Sequence, residues 1–471
     1  MTGTEYDIGM VGLGVMGRNL VLNMADHGFA VAGYDKDKEK IAALKEEGGD
    51  RKVFGAESMK AFIGCLKKPR AVMFLVPAGK PVDSVLDEVV PLLDAGDVII
   101  DGGNSHYVDT NRRSVALAEK KIEFIGMGVS GGEKGARYGP SMMPGGSKKG
   151  YERVSGILEA ASAKVGDDPC VTFLGPGSAG HYVKMVHNGI EYALIQLLAE
   201  TYDLMKRGLG YNNDQLHEVY DQWNKAELQS FLVEITADIF ARKDDKTGKR
   251  LIDMIRDEAR QKGTGKWTSQ DAMDLQVPIP TIDAAVSGRD LSAYKAERVA
   301  AADKLKVKTS AFSGDAGEFV ETLRQAFHFA MIISYAQGMA LLRTASAEYG
   351  YNTNLPDVAR IWRGGCIIRA KLLEDISAAF EKDPDLANLM IDSQFLGDVT
   401  SRHEAVRKVV QTAVEMGIPA PAFSASLAYF DGYRTERLPA NLIQAQRDDF
   451  GAHTYERIDE EGTFHTEWTG K

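Results

Sequence analysis

Four polar residues in one stretch of the sequence have the spacing of a single helix face. Lys184, His187, Asn188 and Glu191 stand at positions i, i+3, i+4 and i+7 within residues 181–199. A helix therefore places all four side chains on one side. Ionisable groups gathered in this way are typical of functional sites, where the surroundings shift their pKa values. The stretch predicts a polar functional site on one helix.

The same spacing also fits the solvated side of an amphipathic surface helix. That interpretation agrees poorly with the sequence, because the polar face continues into Leu194, Ile195 and Leu198, and the other faces are apolar too. A helix that is apolar nearly all round is normally buried. Buried lysine and glutamate side chains without partners or a task destabilise a fold by several kcal/mol. We therefore favour a polar functional site on one face of a buried helix.

The N-terminal segment has the pattern of a dinucleotide-binding turn. A predicted strand over residues 6–11 leads into Gly12-Leu13-Gly14-Val15-Met16-Gly17 and then into a predicted helix. In such a pattern the glycines allow a tight turn, the close approach of a pyrophosphate and the packing of helix on strand. A lone match would also fit a simple turn. The context favours a nucleotide, because a second predicted strand ends at Asp35, where an acid is expected beside the adenosine ribose.

Further strands are predicted at the spacing of a doubly wound parallel sheet, over residues 71–76, 97–101, 122–125 and 171–174. Ligands of such sheets lie beyond the carboxyl ends of the strands. The segments there are Val76-Pro77-Ala78, residues 101–105 with Asn104, and the glycine-rich residues 126–135 with Ser130, Gly131 and Gly132. The last segment fits a flexible loop, but we favour an anion-binding turn of backbone N–H groups and a hydroxyl.

From about residue 180 to 434 the pattern is helical and repeats itself. Gly210 and Trp223 in the first copy correspond to Gly350 and Trp362 in the second, with offsets of 140 and 139 residues. The second copy lacks the polar stripe. We expect an internal duplication in which one copy carries the chemistry and the other supplies scaffold.

Two basic residues of this region are candidate anion ligands. Lys262 lies in a stretch that superficially suggests a P-loop, but Trp267 replaces the required Ser or Thr and no strand precedes it. Arg289 is expected near the start of a helix. Each residue alone would equally fit a solvated surface charge.

The composition limits the class of protein. A net charge of −11 and a pI near 5.5 argue against nucleic-acid or membrane partners, so an anionic ligand requires a local basic cluster. Cys65, Cys170 and Cys366 are far apart and form no CxxC motif, and the N-terminus is not signal-like. These features predict a cytoplasmic protein. No metal-ligand spacing occurs among the nine histidines and three cysteines, so we expect no metal.

The C-terminal residues 435–471 mix Gly, Pro, aromatic and charged residues without enough apolar surface for a core. Such a tail is either frayed or held by another surface.

Taken together, the chain resembles the decarboxylating 6-phosphogluconate dehydrogenases of the pentose phosphate pathway. The resemblance covers essentially all 471 residues, and its motifs occur in family order: 12–17, 101–104, 129–133, 184–192, 262–268 and 446–453. It implies a Rossmann-like dinucleotide-binding domain over 1–179, an all-helical substrate and dimerisation domain over 180–434, and a tail over 435–471 that reaches the partner subunit.

The resemblance also implies roles for individual residues. Lys184 is the expected general base, and Glu191 is the expected acid that protonates the enediol to give ribulose 5-phosphate. The expected ligands of 6-phosphogluconate are Asn104, Ser130, Gly131, Gly132, His187, Asn188, Tyr192, Lys262 and Arg289, with Arg447 and His453 of the partner subunit in a homodimer. The expected cofactor contacts are Gly12, Leu13, Gly14, Val15, Met16, Gly17, Asp35, Lys36, Asp37, Val76, Pro77, Ala78 and Asn104.

The sequence departs from the family pattern at the cofactor. NADP-binding members carry Asn-Arg-Thr where this chain has Asp35-Lys36-Asp37, and they tend to carry Lys at the position of Pro77. An acid at the end of the second strand repels a ribose 2′-phosphate. We therefore expect NAD to be preferred over NADP.

Two alternatives remain at this point. One is a β-hydroxyacid dehydrogenase of the 3-hydroxyisobutyrate type, which would not need the duplication, Lys262, Arg289 or the tail. The other is a non-catalytic nucleotide-binding protein on the same fold, which predicts the loss of Lys184 or Glu191.

Overall fold

The computed structural model describes residues 5–468 and begins with an α/β domain. Its strands are β1 (Ile8–Val11), β2 (Val31–Tyr34), β3 (Val53–Gly55), β4 (Ala71–Phe74), β5 (Val98–Asp101), β6 (Glu123–Val129) and β7 (Met142–Gly146). They form one sheet in the order β3-β2-β1-β4-β5-β6-β7, in which β7 alone is antiparallel to its neighbour. The predicted doubly wound sheet is therefore confirmed.

Helices lie along this sheet. They are α1 (Val15–Asp26), α2 (Lys38–Gly48), α3 (Met59–Gly64), α4 (Lys80–Val89), α5 (Tyr107–Ala118), α6 (Gly132–Tyr138) and α7 (Lys148–Ala161). Strands β1, β4 and β5 are buried along their whole length, as expected for apolar parallel strands covered on both faces. The strand order reverses between β1 and β4, so the loops that follow these two strands border one crevice.

The structure corrects the predicted strand over residues 171–174. Val171 forms only an isolated bridge with Met142, because β7 already occupies that edge of the sheet through its pairing with β6. A short hairpin of β8 (Lys164–Val165) and β9 (Asp168–Pro169) precedes it. Strand β7 was not predicted, since it contains Pro144 and two glycines, which are uncommon inside strands.

The rest of the chain is mainly helical. It comprises α8 (Ala179–Asp203), α9 (Asn213–Asn224), α10 (Phe231–Ala241), α11 (Thr264–Asp274), α12 (Pro280–Ser292), α13 (Lys295–Lys304), α14 (Ala316–Glu348), α15 (Leu355–Ile361), α16 (Leu372–Lys382), α17 (Ser393–Met416), α18 (Pro421–Tyr433) and α19 (Ala440–Gly451). Helix α8 packs against β6, β7, α11, α12 and α14. The predicted buried helix therefore lies between the sheet and the helical layer.

The internal duplication is visible in the helices. The series α8, α9, α10 corresponds to α14, α15, α16, and Gly210 and Gly350 after the two long helices have φ of +72° and +67°. Ser230 and Ala370, which differ by the same 140 residues, pair with each other in an antiparallel bridge. The two copies thus meet at equivalent positions, as expected for duplicated units related by a local two-fold axis.

The tail is more structured than predicted, but it has no core. It contains α19 and a hairpin of β10 (Tyr455–Glu456) and β11 (Thr463–Phe464), and Asp448 is the buried residue of α19. From residue 436 onward, every hydrogen bond of the described side chains stays within the tail. Leu442, Ile443 and Phe450 are exposed. The tail therefore presents apolar side chains that this chain does not cover.

Among residues 5–468, no helix is both long enough and apolar enough to cross a membrane.

Candidate active site

The polar stripe of α8 is buried, as the sequence predicted. Lys184, His187 and Asn188 are 5%, 0% and 8% exposed, whereas the side chain of Glu191 remains 21% exposed. Strand β6 lies so close to α8 that a Cβ at Gly128 would overlap the Lys184 side chain. The backbone of β6 therefore forms one wall of the site, and Glu191 stands where the site meets solvent.

His187 lies between the other two ionisable groups of the stripe. Its Nδ1 is 3.4 Å from Lys184 Nζ and 3.9 Å from Glu191 Oε2. The same nitrogen lies 2.9 Å from Asn188 Oδ1 and donates its proton there, so Nε2 is the accepting nitrogen of the neutral ring. Helical spacing thus places a base, an imidazole and an acid next to one another.

Burial shifts the pKa values of these groups in opposite directions. Desolvation lowers the pKa of Lys184 below 10.5, although Glu191 acts against this shift. It also holds the pKa of His187 well below 6.5, with a further lowering by Lys184. Desolvation raises the pKa of Glu191 above 4.5 despite Lys184 and Arg289. The site therefore favours a neutral lysine and a protonated glutamic acid, which are forms suited to a base and an acid.

The glycine-rich turn after β6 borders the stripe. Ser130 Oγ lies 3.2 Å from His187 Nε2 and accepts a hydrogen bond of 3.3 Å from the Ile367 N–H. Gly131, the N-cap of α6, has a φ of +105°, and a Cβ there would lie 2.5 Å from the Gly365 carbonyl oxygen. A left-handed glycine at a helix start is compatible with an anion-binding turn. Residues 130–132 are thus held next to α8 rather than free as a flexible loop.

Cys366 belongs to this site, although the sequence analysis did not assign it. Its Sγ lies 2.8 Å from His187 Nε2, and burial raises the pKa of the thiol to about 12. The preceding Gly365 accepts a hydrogen bond of 2.7 Å from Ser141 N–H. The linker between α15 and α16 in the second copy therefore contacts the polar stripe of α8 in the first copy. The only sequence signal was the glycine pair before Cys366.

Asn104 lies in the loop after β5. The buried carboxylate of Asp101 accepts hydrogen bonds from Gly103 N–H at 3.1 Å and from Ser105 Oγ at 2.6 Å. His181 of α8 lies 3.1 Å from the Asp101 carbonyl oxygen. Asn104 itself is exposed on this fixed loop. The loop is thereby tied to α8, and the side chain of Asn104 is accessible to solvent.

A basic group lies beside Tyr192, the residue that directly follows Glu191. The Arg289 guanidinium stacks on the Tyr192 ring, with Cζ 3.3 Å from the ring centroid. The predicted location of Arg289 near a helix start is wrong: it lies in the last turn of α12, because that helix already begins at Pro280. Stacking fixes the planar cation while its N–H groups remain available to an anion.

Lys262 stands just before α11, whose N-cap is Gly263. It is exposed, and the Trp267 ring of the same helix packs on His106 with centroids 4.6 Å apart. Helix α11 is thus fixed against the α/β domain while Lys262 projects from its start. Ser178, the N-cap residue of α8, makes no capping bond, because its Oγ bonds to the Tyr351 hydroxyl at 2.7 Å.

The glycine motif forms the tight turn between β1 and α1. Gly12 has a φ of +97°, and a Cβ there would lie 2.5 Å from the Leu75 carbonyl oxygen. A Cβ at Gly17 would overlap the carbonyl oxygen of Gly12, whereas the space around Gly14, the N-cap of α1, is open. No side chain caps α1, so its first N–H groups are available to a pyrophosphate. The turn fits a dinucleotide.

A cleft of about 510 Å³ continues from this turn. It is lined by Val11, Gly12, Gly14, Tyr34, Asp35, Lys36, Lys40, Met59, Leu75, Val76, Pro77, Pro81, Ser84, Val85 and Glu88. Asp35 Oδ2 accepts a hydrogen bond of 2.8 Å from Leu13 N–H, and Oδ1 accepts one of 2.9 Å from Asp37 N–H. The acid predicted to meet the ribose is therefore fixed to the glycine turn. Val15, Met16 and Ala78 complete the two loops that border the cleft.

Arg447 and His453 are not brought to the α8 site within this chain. Arg447 donates to Gln444 Oε1 at 3.0 Å, and His453 packs on Phe450 with ring centroids 5.9 Å apart. Both are exposed on the tail. Within residues 5–468, no group of three or more His, Cys, Asp or Glu side chains has an arrangement that could hold a metal ion.

Comparison with known proteins assigns both halves of the chain to one family. The model of the NAD binding domain of 6-phosphogluconate dehydrogenase matches residues 7–175, and that of the 6-phosphogluconate dehydrogenase C-terminal domain matches residues 180–468.

Relatives named 6-phosphogluconate dehydrogenase match over nearly the full length. The NADP(+)-dependent, decarboxylating enzyme of Bacillus subtilis (strain 168) is 51% identical and covers 99% of each chain. The decarboxylating enzyme of Mus musculus is 51% identical over 99% of this chain and 97% of its own. The solved Plasmodium falciparum enzyme, described in apo form and with NADP+ and 6-phosphogluconate, has a TM-score of 0.95 and 46% identity, covering 98% and 100% of the two chains.

Proposed function

Because the chain belongs to the 6-phosphogluconate dehydrogenase family, we propose that it converts 6-phospho-D-gluconate and NAD(P)+ to D-ribulose 5-phosphate, CO2 and the reduced nicotinamide. The observation that carries the proposal is the buried face of α8, where Lys184 and Glu191 flank His187. An oxidation followed by a decarboxylation requires a base at one carbon and an acid at another. One helix face supplies both.

Lys184 is the proposed general base. Its lowered pKa favours the neutral amine, which can accept the proton of the C3 hydroxyl. When bound, the nicotinamide accepts the hydride that leaves C3. The resulting 3-keto acid loses CO2 as the C1–C2 bond breaks and its electrons pass to the C3 oxygen. Protonated Lys184 then stabilises the developing negative charge on that oxygen.

Glu191 is the proposed acid of the final step. The enediol left by the loss of CO2 needs a proton on the carbon that becomes C1 of ribulose 5-phosphate. Desolvation raises the pKa of Glu191 above 4.5, which favours the protonated carboxyl that can donate. Seven residues of helix separate Glu191 from Lys184, about 10 Å of axial rise. Their side chains nevertheless converge, since they lie 3.4 and 3.9 Å from His187 Nδ1, so they can act on neighbouring carbons of one substrate.

The remaining side chains suit the polar ends of the same substrate. The residues proposed to bind the carboxylate and hydroxyls are Asn104, Ser130, Gly131, Gly132, His187 and Asn188. Tyr192, Lys262 and Arg289 are proposed to bind the phosphate, for which the stacked guanidinium offers a bidentate donor. They supply the local basic cluster that an acidic chain requires.

We propose NAD as the preferred cofactor. Asp35 is fixed by Leu13 N–H, retains lone pairs for a ribose 2′-hydroxyl and repels a 2′-phosphate. Pro77 lines the cleft without supplying a cation. The expected preference is roughly ten- to a hundredfold, on the scale of a hydrogen bond to a charged group. The name of the Bacillus subtilis relative specifies NADP, so the preference of this chain has to be measured directly.

The active form is proposed to be a cytoplasmic homodimer in which each tail completes the partner's site. Support comes from the tail itself, which has uncovered apolar residues and hydrogen bonds only within its described part. Arg447 and His453 would then contact the substrate of the other subunit. The proposed division is 1–179 for the nucleotide, 180–434 for substrate and dimerisation, and 435–471 for the tail; residues 1–4 and 469–471 lie outside the described residues.

A substrate panel tests the proposal. The purified chain should reduce NAD with 6-phosphogluconate, far more slowly with gluconate, which lacks the phosphate, and negligibly with 3-hydroxyisobutyrate. An Arg289→Met variant should raise the KM for 6-phosphogluconate and leave the slow rate with gluconate nearly unchanged. Equal rates with phosphorylated and unphosphorylated substrates would contradict the assignment of the phosphate site.

A further inference from the structure

The cleft next to the glycine turn contains a charge arrangement in which each cation already has an acidic partner. Among the described residues that line the cleft, the cations are Lys36 and Lys40. Lys40 Nζ lies 3.7 Å from Asp35 Oδ1 and 3.8 Å from Asp37 Oδ2. Lys36 points to another element: its Nζ donates to Glu88 Oε1 of α4 at 2.6 Å. A ribose 2′-phosphate would therefore find no unpaired lysine there.

Lys36 is the residue whose charge argues against an NAD preference. It directly follows Asp35, so an unpaired Lys36 could neutralise a 2′-phosphate as a point charge. In the structure its ammonium group is held across the cleft by the Glu88 carboxylate, and this hydrogen bond raises the pKa of Lys36. Glu88 thus both pairs with the Lys36 cation and adds a negative charge to the lining of the cleft.

We propose that Glu88 is a cofactor-specificity residue, which disfavours NADP by holding Lys36 away from the position of the ribose 2′-phosphate. The proposal rests on the proposed function as an NAD(P)-dependent dehydrogenase. It adds Glu88 to Asp35, the acid that follows β2, as a determinant of cofactor specificity. Lys36 is the residue that Glu88 acts through, so Glu88 positions a charge rather than taking part in catalysis.

The expected size of the effect is small, because the pair is largely solvated. The Lys36 side chain is 66% exposed and that of Glu88 is 39% exposed. Exposed ion pairs contribute less than buried ones and are screened by salt. Releasing Lys36 should therefore change the affinity for a 2′-phosphate by about two- to fivefold, and raising the ionic strength should reduce the change.

The test compares two nucleotides that differ only in the 2′-phosphate. Calorimetric titration of the full-length chain gives the Kd of AMP and of adenosine 2′,5′-bisphosphate, without any contribution from catalysis. Glu88→Gln preserves side-chain shape and should tighten the bisphosphate about two- to fivefold, with the Kd of AMP unchanged. The ratio of kcat/KM for NADP to that for NAD should rise by the same factor.

Two further variants isolate the cause. Asp87→Asn removes the same charge from the neighbouring residue of α4, which borders a different groove with Arg112 and Lys120. This variant should leave unchanged both the ratio of the two Kd values and the ratio of kcat/KM for NADP to that for NAD. The double variant Glu88→Gln/Lys36→Met should lose the gain of Glu88→Gln. An unchanged ratio in Glu88→Gln, an equal gain in Asp87→Asn, or a full gain in the double variant would each overturn the proposal.

The test of Glu88 is independent of the test of the proposed NAD preference. The unmodified chain's ratio of Kd values for the two nucleotides tests the preference. The displacement of that ratio in Glu88→Gln tests Glu88, whichever nucleotide the unmodified chain binds more tightly.

Discussion

His187 Nδ1 lies 3.4 Å from Lys184 Nζ, and both side chains are almost completely buried. A positive charge on either side chain is disfavoured in such surroundings, because neither the ammonium group nor the imidazolium ring would be well solvated. The same contact lowers the pKa of His187 further. The pair therefore favours a neutral lysine amine and an uncharged imidazole before a substrate provides a proton and an anion.

Replacing Lys184 with methionine should abolish oxidation. Methionine preserves approximate volume in the buried site but cannot accept a proton, and the loss of a general base typically lowers rates by about 10²–10⁴-fold. The Kd of NAD, measured by titration, should remain close to that of the unmodified chain. Lys225→Met, at an exposed lysine after α9, serves as the control and should retain full activity. Oxidation by Lys184→Met within about tenfold of the parent would contradict the assignment of the base.

The pH dependence of kcat should be bell-shaped. Lys184 acts in its neutral form, so activity should rise with pH as this residue loses its proton at a pKa below 10.5. Glu191 acts in its protonated form, so activity should fall as the pH passes its pKa, which lies above 4.5. In Glu191→Gln the residual turnover to ribulose 5-phosphate should lose the descending limb, because glutamine does not titrate. A descending limb that persists in this variant would identify a different acid.

Mixing two inactive variants tests the exchange of tails. Lys184→Met lacks the base, and Arg447→Ala lacks the tail contact. In a mixed dimer, one site combines an intact Lys184 with the intact tail of its partner. Co-refolded or co-expressed variants should therefore recover about a quarter of the unmodified activity if subunits assort at random into two-fold dimers.

The corresponding control is a mixture of Lys184→Met with Glu191→Gln. Both changes lie on α8, so every site of a mixed dimer remains defective and activity should not return. Recovery limited to the first mixture supports the shared site. No recovery in either mixture, with dimers present, would show that Arg447 acts within its own subunit.

Glu200 should make the folded state less stable as the pH rises. Its carboxylate accepts hydrogen bonds from Ala422 N–H at 2.8 Å and Phe423 N–H at 3.0 Å, yet burial raises its pKa to about 7. The folded state thus retains a proton that the unfolded state releases near pH 4.5. This contribution is complete below that pH and is lost as the pH rises to about 7, with a total of about 3 kcal/mol.

Free energies of unfolding at pH 5 and pH 8 measure this contribution. Glu200→Gln should flatten the difference between the two pH values, whereas Glu119→Gln, at the exposed end of α5, should follow the unmodified chain. An identical pH dependence in Glu200→Gln would assign the effect to another group.

Much of the fold follows from local pattern. The glycine turn, the apolar parallel strands and the helical stripe of α8 each depend on residues close in sequence, so periodicity and turn chemistry were sufficient. Strand β7 was missed because it contains Pro144, and proline is uncommon inside strands. Arg289 was placed at the wrong end of α12 because helix boundaries depend on packing.

The unpredicted parts of the site depend on long-range contacts. Cys366 meets His187 across 179 residues, and Glu88 meets Lys36 across 52. No spacing rule relates such positions, since only the packing of α8 against the second copy and of α4 beside β2 brings them together. The sequence could therefore indicate the chemistry of α8 but not the residues that orient it or pair its charges.

The most direct measurement follows the carbon that the reaction releases. The purified chain is supplied with NAD and with 6-phosphogluconate labelled with ¹³C at C1, and labelled CO2 and reduced nicotinamide are quantified together. The account predicts equal amounts of both, with ribulose 5-phosphate as the sugar product and neither signal from Lys184→Met. Reduced nicotinamide without labelled CO2, or labelled CO2 from Lys184→Met at the unmodified rate, would contradict it.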